Sequence, residues 1–391
     1  MIQVAHVITG LYTGGAEIML YKLLARTDRT RFNPLVVSLV EGGSIVPKIE
    51  SLGISVYRCG MHRGIPGPLS ATRLVRILRH VQPDLLQGWM YHGNLAAQAV
   101  AAALPGRVPV LWNIRGSHHI LRDEKATTAA AIWLGARLSK RPVRILCNST
   151  TSARLHEEHL GFASDRWEII PNGFELDKYA PSAPARADVR QELGVPADAL
   201  LLGLMGRYNP VKDHGNFLRA ARSMRAGREN KIYFVMAGTG VDGANRELAR
   251  QIAELGLNGS VRLLGERDDM PRVTAALDLA VNSSYSEGFP NVVGEAMSCG
   301  VPCVVTDVGD SAWLVGNTGF KVAPRDSEAL AAACRTLIDL GAEGRRALGL
   351  AARQRVASEF SLDSVSARYE SLYETVLDRH KEGKDLSRCA A

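Results

Sequence analysis

The sequence predicts an α/β protein with two doubly wound domains that face each other across a cleft. Short apolar runs alternate with helical patterns along the whole chain, which is typical of parallel α/β architecture. The chain has 391 residues, more than one ordinary hydrophobic core requires. A stretch rich in proline and alanine, at 179–184, interrupts the alternation and is the best candidate for a linker. Ligands bind such domains at the carboxyl ends of the strands, so we expect the active site in the cleft.

Seven apolar runs of strand length lie in the first half and six in the second, and most are rich in β-branched residues, as buried parallel strands are. They cover 3–8, 34–40, 54–57, 85–89, 110–114, 144–148 and 167–170, then 200–205, 232–237, 261–264, 279–282, 302–306 and 320–322. Helical patterns follow at 327–340, 344–360 and 364–380. We therefore place an N-terminal domain at 1–180 and a C-terminal domain at 181–363.

Composition excludes several classes of protein. Hydrophobic residues make up 46% of the chain and charged residues 22%, as in soluble globular proteins. No run of eighteen apolar residues occurs, so no membrane-spanning helix is expected, and residues 1–8 predict a first strand rather than a secretion signal. The six cysteines lack metal-type spacing, which favours a reduced, cytoplasmic setting.

The positive charge is concentrated in the first half. Residues 1–180 hold 21 Lys and Arg against 13 Asp and Glu, a net charge of +8. Residues 181–391 have a net charge of −1, which gives the +7 of the whole chain. Anionic lipid, a diphosphate-bearing acceptor and nucleic acid are the candidate partners, but the sparse aromatics disfavour nucleic acid. The helical pattern at 69–80 places Arg73 and Arg76 on one face. That face is either solvated or in contact with a membrane surface, and both interpretations stay open.

The segment 284–300 places Glu287 and Glu295 eight residues apart, where a loop becomes a helix. Pro290 suits the helix start and Gly300 its left-handed end. Two carboxylates so placed could accept hydrogen bonds from the hydroxyls of one polyhydroxylated ligand. The alternative is a solvated Glu295, with Glu287 stabilised by the positive end of the helix.

Other candidate residues follow predicted strands. Gly14 and Gly15 precede a helix, where backbone N–H groups bind anions, although a plain tight turn is an equal alternative. After Gly206, the cations Arg207 and Lys212 could hold both phosphates of a diphosphate leaving group, or could be ordinary surface charges. Further strand ends carry Gly238, Arg267, Arg115, His92, His118 and His119.

These motifs resemble those of the retaining glycosyltransferases of family 4, which transfer sugars from nucleotide diphosphates. The resemblance covers nearly the whole chain and is most specific from Glu287 to Glu295 and at Arg207 and Lys212. It implies the GT-B fold of two Rossmann-like domains, with the donor bound by the C-terminal domain and the acceptor by the N-terminal domain. It further implies that the last helix, near 364–380, packs back on the N-terminal domain.

The resemblance also implies residue roles. Glu295 would hold the ribose hydroxyls and Glu287 the hydroxyls of the donor sugar, while Arg207 and Lys212 would neutralise the diphosphate in place of a metal ion. Arg115 occupies the position where many members place a histidine close to the transferred sugar, with His118 just beyond. The implied catalytic set is Arg207, Lys212, Glu287, Arg115 and His118, and the donor-binding set is Gly14, Gly15, Gly206, Gly238, Arg267, Gly288, Phe289, Asn291 and Glu295.

The function expected from this resemblance is transfer of a sugar from a UDP-linked donor to a hydroxyl of a glycan or lipid-diphosphate-linked oligosaccharide, in the synthesis of a cell-surface polysaccharide or glycolipid. The resemblance also implies that the anomeric configuration is retained and that neither a metal ion nor a further cofactor is needed. It implies a front-face reaction through an oxocarbenium-like state. The alternative is a sugar-nucleotide 2-epimerase of similar architecture, which the basic N-terminal half disfavours. We expect a cytoplasmic protein that docks on the inner membrane face and binds no nucleic acid.

Overall fold

The computed structural model describes residues 1–61, 68–116, 125–226 and 231–389. It divides into two compact units. Unit 1 comprises Met1–Gly173 and Leu362–Ala391, and unit 2 comprises Phe174–Ser361. Phe174 packs into the core of unit 2, so the proline-rich stretch at 179–184 lies inside that unit rather than at its border.

Unit 1 is built on a seven-stranded parallel sheet in the order β3-β2-β1-β4-β5-β6-β7. Its strands are β1 (Ile2–Ile8), β2 (Phe32–Val40), β3 (Val56–Met61), β4 (Leu85–Trp89), β5 (Val110–Ile114), β6 (Arg144–Cys147) and β7 (Trp167–Ile169). The helices between them are α1 (Gly15–Arg26), α2 (Val46–Glu50), α3 (Pro68–Val81), α4 (Met90–Ala101), α5 (Ala126–Leu138) and α6 (Thr150–Leu160). The strand order reverses between β1 and β4, the position at which such sheets bind ligands.

Unit 2 is built on a six-stranded parallel sheet in the order β10-β9-β8-β11-β12-β13. Its strands are β8 (Leu200–Met205), β9 (Ile232–Ala237), β10 (Val261–Leu263), β11 (Leu279–Asn282), β12 (Cys303–Thr306) and β13 (Gly319–Val322). Its helices are α7 (Ala183–Glu192), α8 (His214–Arg225), α9 (Arg246–Glu254), α10 (Met270–Ala275), α11 (Asn291–Ser298), α12 (Ser311–Val315), α13 (Ser327–Asp339) and α14 (Gly341–Glu359). Here the order reverses between β8 and β11.

The last helix, α15 (Leu362–Cys389), belongs to unit 1. Its buried face places Val365, Tyr369 and Tyr373 in one apolar cluster with strand residues such as Leu111. The phenol of Tyr373 donates a hydrogen bond to the buried Gln87 Oε1 of β4. Because α15 supplies part of the core, the fold of unit 1 requires both ends of the chain.

The predicted fold class, two doubly wound parallel α/β domains, is confirmed. All thirteen predicted strands are present, with shifts of a few residues at their ends. In the described part of the chain, no helix combines the length and the apolar character that crossing a membrane requires.

Candidate active site

The floor of the site in unit 2 is backbone from three neighbouring strand ends. The N–H of Gly206 donates to the carbonyl of Ala237, and the N–H of Gly238 donates to the carbonyl of Gly265, each at 2.8 Å. A Cβ at Gly238 would lie 2.4 Å from the carbonyl oxygen of Gly206, and its φ of +146° disfavours any side chain. Two of the predicted site glycines, Gly206 and Gly238, are therefore in direct contact because Gly238 has no side chain.

The loop after β8 turns sharply and carries the two predicted cations. The side chain of Asn209 accepts from the N–H of Val211 and starts a 3₁₀ turn over Pro210–Lys212. Asp213 follows with a φ of +46°, and its carboxylate accepts from the N–H of Asn216 at the start of α8. This turn leaves Arg207 exposed and Lys212 half-buried.

Lys212 and Glu287 form the central contact of the site. Lys212 Nζ donates to Glu287 Oε1 at 2.5 Å, and the two side chains are only 19% and 11% exposed. The same oxygen accepts from Ser284 Oγ at 2.6 Å and from Asn282 Nδ2 at 3.3 Å. Three donors fix this carboxylate, and two predicted catalytic residues that lie 75 positions apart are joined.

The loop that carries Glu287 is held by its neighbours on both sides. The N–H of Tyr285 donates to the carbonyl of Val211 at 2.9 Å, which ties it to the loop after β8. On the other side, the N–H of Asp310 donates to the carbonyl of Gly288 at 2.8 Å. Gly309 allows this close approach, because a Cβ there would lie 2.4 Å from the carbonyl oxygen of Glu287. The position of Glu287 is thus set by backbone contacts.

Glu295 has a different environment from Glu287. It lies just over one turn inside α11, not the two turns that the sequence predicted, because the helix begins after Pro290. Burial raises the pKa of the Tyr179 phenol well above its usual range, and the charge of Glu295 and a hydrogen bond to it raise this pKa further. Burial, with Glu295 beside it, also raises the pKa of the Cys299 thiol to about 12. Glu295 is therefore a half-buried carboxylate anchored by a neutral phenol.

Two other predicted donor-binding residues are engaged by the protein. Phe289 is 7% exposed, and its ring packs against those of Phe174, Trp313 and Phe360. Arg267 pairs with Asp269 and with Glu192, and its bond to Asp269 holds the pKa of that carboxyl down at about 2. Both contacts anchor their loops. Asn291 is exposed at the start of α11.

In unit 1, the predicted anion site at Gly14 and Gly15 is occupied by a side chain of the protein. Gly15 begins α1, and a Cβ at Gly14 would lie 2.4 Å from Glu17 Oε2. Burial raises the pKa of this carboxyl, and its hydrogen bond to the N–H of Glu17 partly offsets that effect. The carboxylate of Glu17 thus folds back over the helix start.

Arg115 lies at the end of β5 in a set of contacts that we name the Arg115 cluster, formed by Arg115, Asn113, Asn172, Tyr369 and Trp89. Arg115 Nη1 donates to Tyr369 OH at 2.8 Å and, more weakly, to Asn113 Oδ1 at 3.4 Å. Its Nη2 donates to Asn172 Oδ1, and its guanidinium carbon lies 5.8 Å from the centre of the Trp89 ring. Helix α15 therefore helps to position Arg115 through Tyr369.

Two predicted histidines, His118 and His119, lie outside the described residues. His92 is half-buried at the start of α4, and burial lowers its pKa. Among the described residues, no group of three or more His, Cys, Asp or Glu side chains is arranged to bind a metal ion.

Several residues of the site escaped the sequence analysis, namely Ser284, Asn282, Tyr179, Asn113, Asn172 and Tyr369. For the asparagines a signal exists, because Asn113, Asn148 and Asn172 all lie at or just after predicted strand ends. Nothing in the sequence singles out Tyr369, which lies more than 250 positions from Arg115.

Comparison with known proteins gives matches along both halves. Residues 13–178 match the family model described as Glycosyltransferase Family 4, and residues 199–339 match the model described as Glycosyl transferases group 1. The chain is 27% identical over 333 residues to the glycosyltransferase EpsF of Bacillus subtilis (strain 168), a match that covers 78% of this chain and 79% of that relative.

A second relative is the UDP-Gal:alpha-D-GlcNAc-diphosphoundecaprenol alpha-1,3-galactosyltransferase of Escherichia coli. It is 28% identical over 239 residues, which is 58% of this chain and 59% of that enzyme. Among solved structures, Anabaena Alr3699/HepE in complex with UDP superposes with a TM-score of 0.81 at 23% identity. That superposition covers 96% of this chain and all of the other, so the two proteins share the same fold.

Proposed function

Because the chain belongs to the family 4 glycosyltransferases, we propose that it transfers a sugar from a UDP-sugar to a hydroxyl of a glycan or lipid-linked oligosaccharide. The UDP bound in Anabaena Alr3699/HepE supports the choice of nucleotide. The Escherichia coli relative, named for a diphosphoundecaprenol acceptor, supports the choice of a lipid-linked acceptor. The proposed role is the assembly of a cell-surface polysaccharide or glycolipid.

The observation that carries this proposal is the contact between Lys212 and Glu287, on a loop that also carries the exposed Arg207. As the bond from the sugar to the diphosphate breaks, negative charge grows on the leaving phosphate. Arg207 and Lys212 supply the positive charge that stabilises it, in the role that a divalent ion plays elsewhere. Glu287 keeps Lys212 in place before the donor arrives, so little reorganisation is needed.

The surroundings of Glu287 support retention without a covalent intermediate on this residue. Glu287 Oε1 accepts from Lys212, Ser284 and Asn282, and these three hydrogen bonds draw charge from the carboxylate and weaken it as a nucleophile. It is suited to accept hydrogen bonds from the hydroxyls of the donor sugar. Departure of UDP and attack of the acceptor on the same face then retain the anomeric configuration.

Glu295 is assigned to the ribose. Its bond with Tyr179 fixes one side of the carboxylate on the rigid helix α11. Gly206 and Gly238 place backbone without side chains just after β8 and β9, at the carboxyl ends of strands in the same sheet, where a nucleotide can approach closely. Glu295 and the floor together explain how unit 2 would bind UDP before any acceptor is present.

The proposed place of action is the cytoplasmic face of the membrane. Helix α3 exposes Arg73 and Arg76, and α5 exposes Trp133 and Leu134, which are 55% and 41% accessible. A lipid-linked acceptor would be reached from such a surface.

The decisive experiment is a panel of UDP-sugars incubated with and without lipid-diphosphate-linked acceptors. Product anomers would be assigned by nuclear magnetic resonance. The proposal expects an α-anomeric product from an α-linked donor, formed only when acceptor is present. An epimerised sugar formed from the donor alone would establish the 2-epimerase instead, and an inverted product would contradict retention.

A further inference from the structure

Arg115 carries a positive charge, and the hydrogen-bond partners that the described part of the chain offers it are all neutral. Its acceptors are a phenol and two side-chain amides, from Tyr369, Asn113 and Asn172. Among the described residues, no carboxylate forms an ion pair with it. The guanidinium is half-buried, and a cation partly removed from water without a counterion is unfavourable.

Two arginines of this chain, the half-buried Arg267 and the buried Arg190, differ from Arg115 in having carboxylate partners. Arg267 is paired with Asp269 and Glu192, and Arg190 with Asp278. In both cases the protein itself supplies the anion. At Arg115 the described protein supplies dipoles that orient the guanidinium but do not neutralise it.

The bonds that Arg115 makes also leave part of the guanidinium available. An arginine has five N–H donors. Nη1 uses both of its hydrogens and Nη2 uses one, so Nε and Nη2 each keep an N–H without an acceptor among the described residues. These two N–H groups are available to a carboxylate or phosphate, which accepts charge-assisted hydrogen bonds from a guanidinium.

The location is that of a ligand site in this type of sheet. Arg115 follows β5, and its guanidinium lies against the Trp89 ring at the end of β4, next to the point where the strand order reverses. Trp89 Nε1 donates to His6 Nδ1 on β1 at 3.1 Å. The next residue, Met90, has a φ of +61°, a strained conformation that ordinary side chains rarely adopt. Such strain concentrates at functional sites.

We propose that Arg115 is an oxyanion-binding residue, and that unit 1 recognises a sugar substrate by a carboxylate or phosphate group it carries. Tyr369 and Asn172 are positioning residues that aim the guanidinium. This inference rests on the proposed function only in taking the anion to belong to a sugar. It makes unit 1 selective for an acidic sugar over its neutral counterpart.

The test measures binding of D-glucuronate, D-glucose 6-phosphate and D-glucose by calorimetry to the full chain. All titrations use an Arg207→Gln/Lys212→Gln background, because those two cations of unit 2 would bind the same anions. We expect at least one charged sugar to bind about tenfold or more tightly than glucose, as loss of a charge-assisted bidentate contact implies. The preferred probe distinguishes a carboxylate from a phosphate ligand.

In the same background, Arg115→Gln should abolish this preference and Arg115→Lys should keep part of it, since lysine retains the charge but lacks the planar fork. Arg154→Gln is the matched control, because this exposed arginine of α6 pairs with Glu158 and should leave the preference unchanged. Circular dichroism checks the fold of each variant. If Arg115→Gln does not fold, the Arg115→Lys titration decides alone.

Equal binding of charged and neutral sugars, binding of none of them, or an undiminished preference in Arg115→Gln would overturn the inference. UDP titrated into the unsubstituted chain separates this result from the proposed function. UDP binding without a preference for charged sugars would contradict only the Arg115 proposal. Absence of UDP binding would contradict the proposed function without affecting the conclusion about Arg115.

Discussion

Glu287 accepts hydrogen bonds from three side chains, and one of the three, Lys212, is charged. Removing the ammonium would leave a carboxylate that is 11% exposed with two neutral donors. Arg207 is exposed, and among the described residues it makes no side-chain bond. Two cations with the same proposed role therefore differ in what they contribute to stability.

We predict that Arg207→Ala and Lys212→Ala each reduce kcat by about 10²–10³, the cost of losing a donor to developing charge. Only Lys212→Ala should also lower the free energy of unfolding, by about 1–3 kcal/mol, because it leaves a buried acceptor poorly paired. Steady-state kinetics and urea denaturation measure the two effects. Lys321→Ala, an exposed cation of β13, is the control. Near-normal turnover in both variants would remove these residues from the active site.

The two glutamates can be separated by the ligand each is proposed to hold. Glu295→Gln should weaken binding of free UDP as well as of UDP-sugar, because the ribose is present in both. Glu287→Gln should weaken binding of the sugar nucleotide and spare free UDP. Calorimetry with both ligands tests this pattern. Tyr179→Phe removes the hydroxyl that bonds to Glu295 and should weaken binding of both ligands, but less than Glu295→Gln does. The reverse pattern would exchange the two roles.

His6 links the stability of unit 1 to pH. Burial lowers its pKa from 6.5 to about 3, so between these values the unfolded chain binds a proton that the folded chain excludes. Stability from this group is complete above pH 6.5 and is lost as the pH falls, at about 1.4 kcal/mol per pH unit. Urea denaturation at pH 6.5 and pH 5 should therefore differ by about 2 kcal/mol. In His6→Asn, which keeps an acceptor for Trp89, this difference should shrink; an unchanged difference would assign it to other groups.

At the scale of elements, the strands were predictable because burial on both faces leaves a continuous apolar run, and such runs are visible in sequence. The segment from Pro290 to Gly300 was also predictable, since proline and glycine mark the ends of α11, and Gly300 has the expected positive φ of +71°. The contacts across loops were not. Whether Lys212 reaches Glu287 depends on the 3₁₀ turn after β8 and on the close packing of Gly309 against the backbone of Glu287. No local sequence pattern specifies either contact.

The close approach of two loops at Gly238 gives a sharp test at this scale. Gly238→Ala should cost at least about 1–3 kcal/mol through backbone strain, and more from the overlap with Gly206, and should weaken UDP binding. Gly243→Ala is the matched control, because a Cβ there would meet nothing within 4 Å. Urea denaturation compares the two. Equal stability would show that the loops can separate without cost.

At the scale of the molecule, unit 1 combines its positive charge with exposed apolar side chains. Arg137 lies over the exposed ring of Trp133, with its guanidinium carbon 4.9 Å from the ring centre. Neighbouring apolar and cationic side chains suit the interface of an anionic bilayer, where each cation contributes about 1 kcal/mol.

We predict binding to anionic vesicles that weakens steeply with salt, because the attraction decays within a Debye length. Arg73→Glu with Arg76→Glu should weaken it further, as should Trp133→Ala with Leu134→Ala, while UDP binding stays unchanged. Lys321→Glu with Arg346→Glu in unit 2 is the control for charge alone. Co-sedimentation at low and physiological salt provides the measurement. Equal partitioning onto neutral vesicles, or none at all, would point to a soluble acceptor.

The division of unit 1 between the two ends of the chain has a consequence for synthesis on the ribosome. Unit 2 is contiguous, and the N–H of Phe174 donates to the carbonyl of Phe360, so its first and last residues meet. It has all of its residues once position 361 has emerged. The strands of unit 1 are translated before unit 2, but unit 1 lacks Val365, Tyr369 and Tyr373 until unit 2 has been translated. While unit 2 is being translated, the nascent chain therefore carries an incomplete unit 1 with uncovered apolar strand residues, and this is the stage at which chaperones would be needed most.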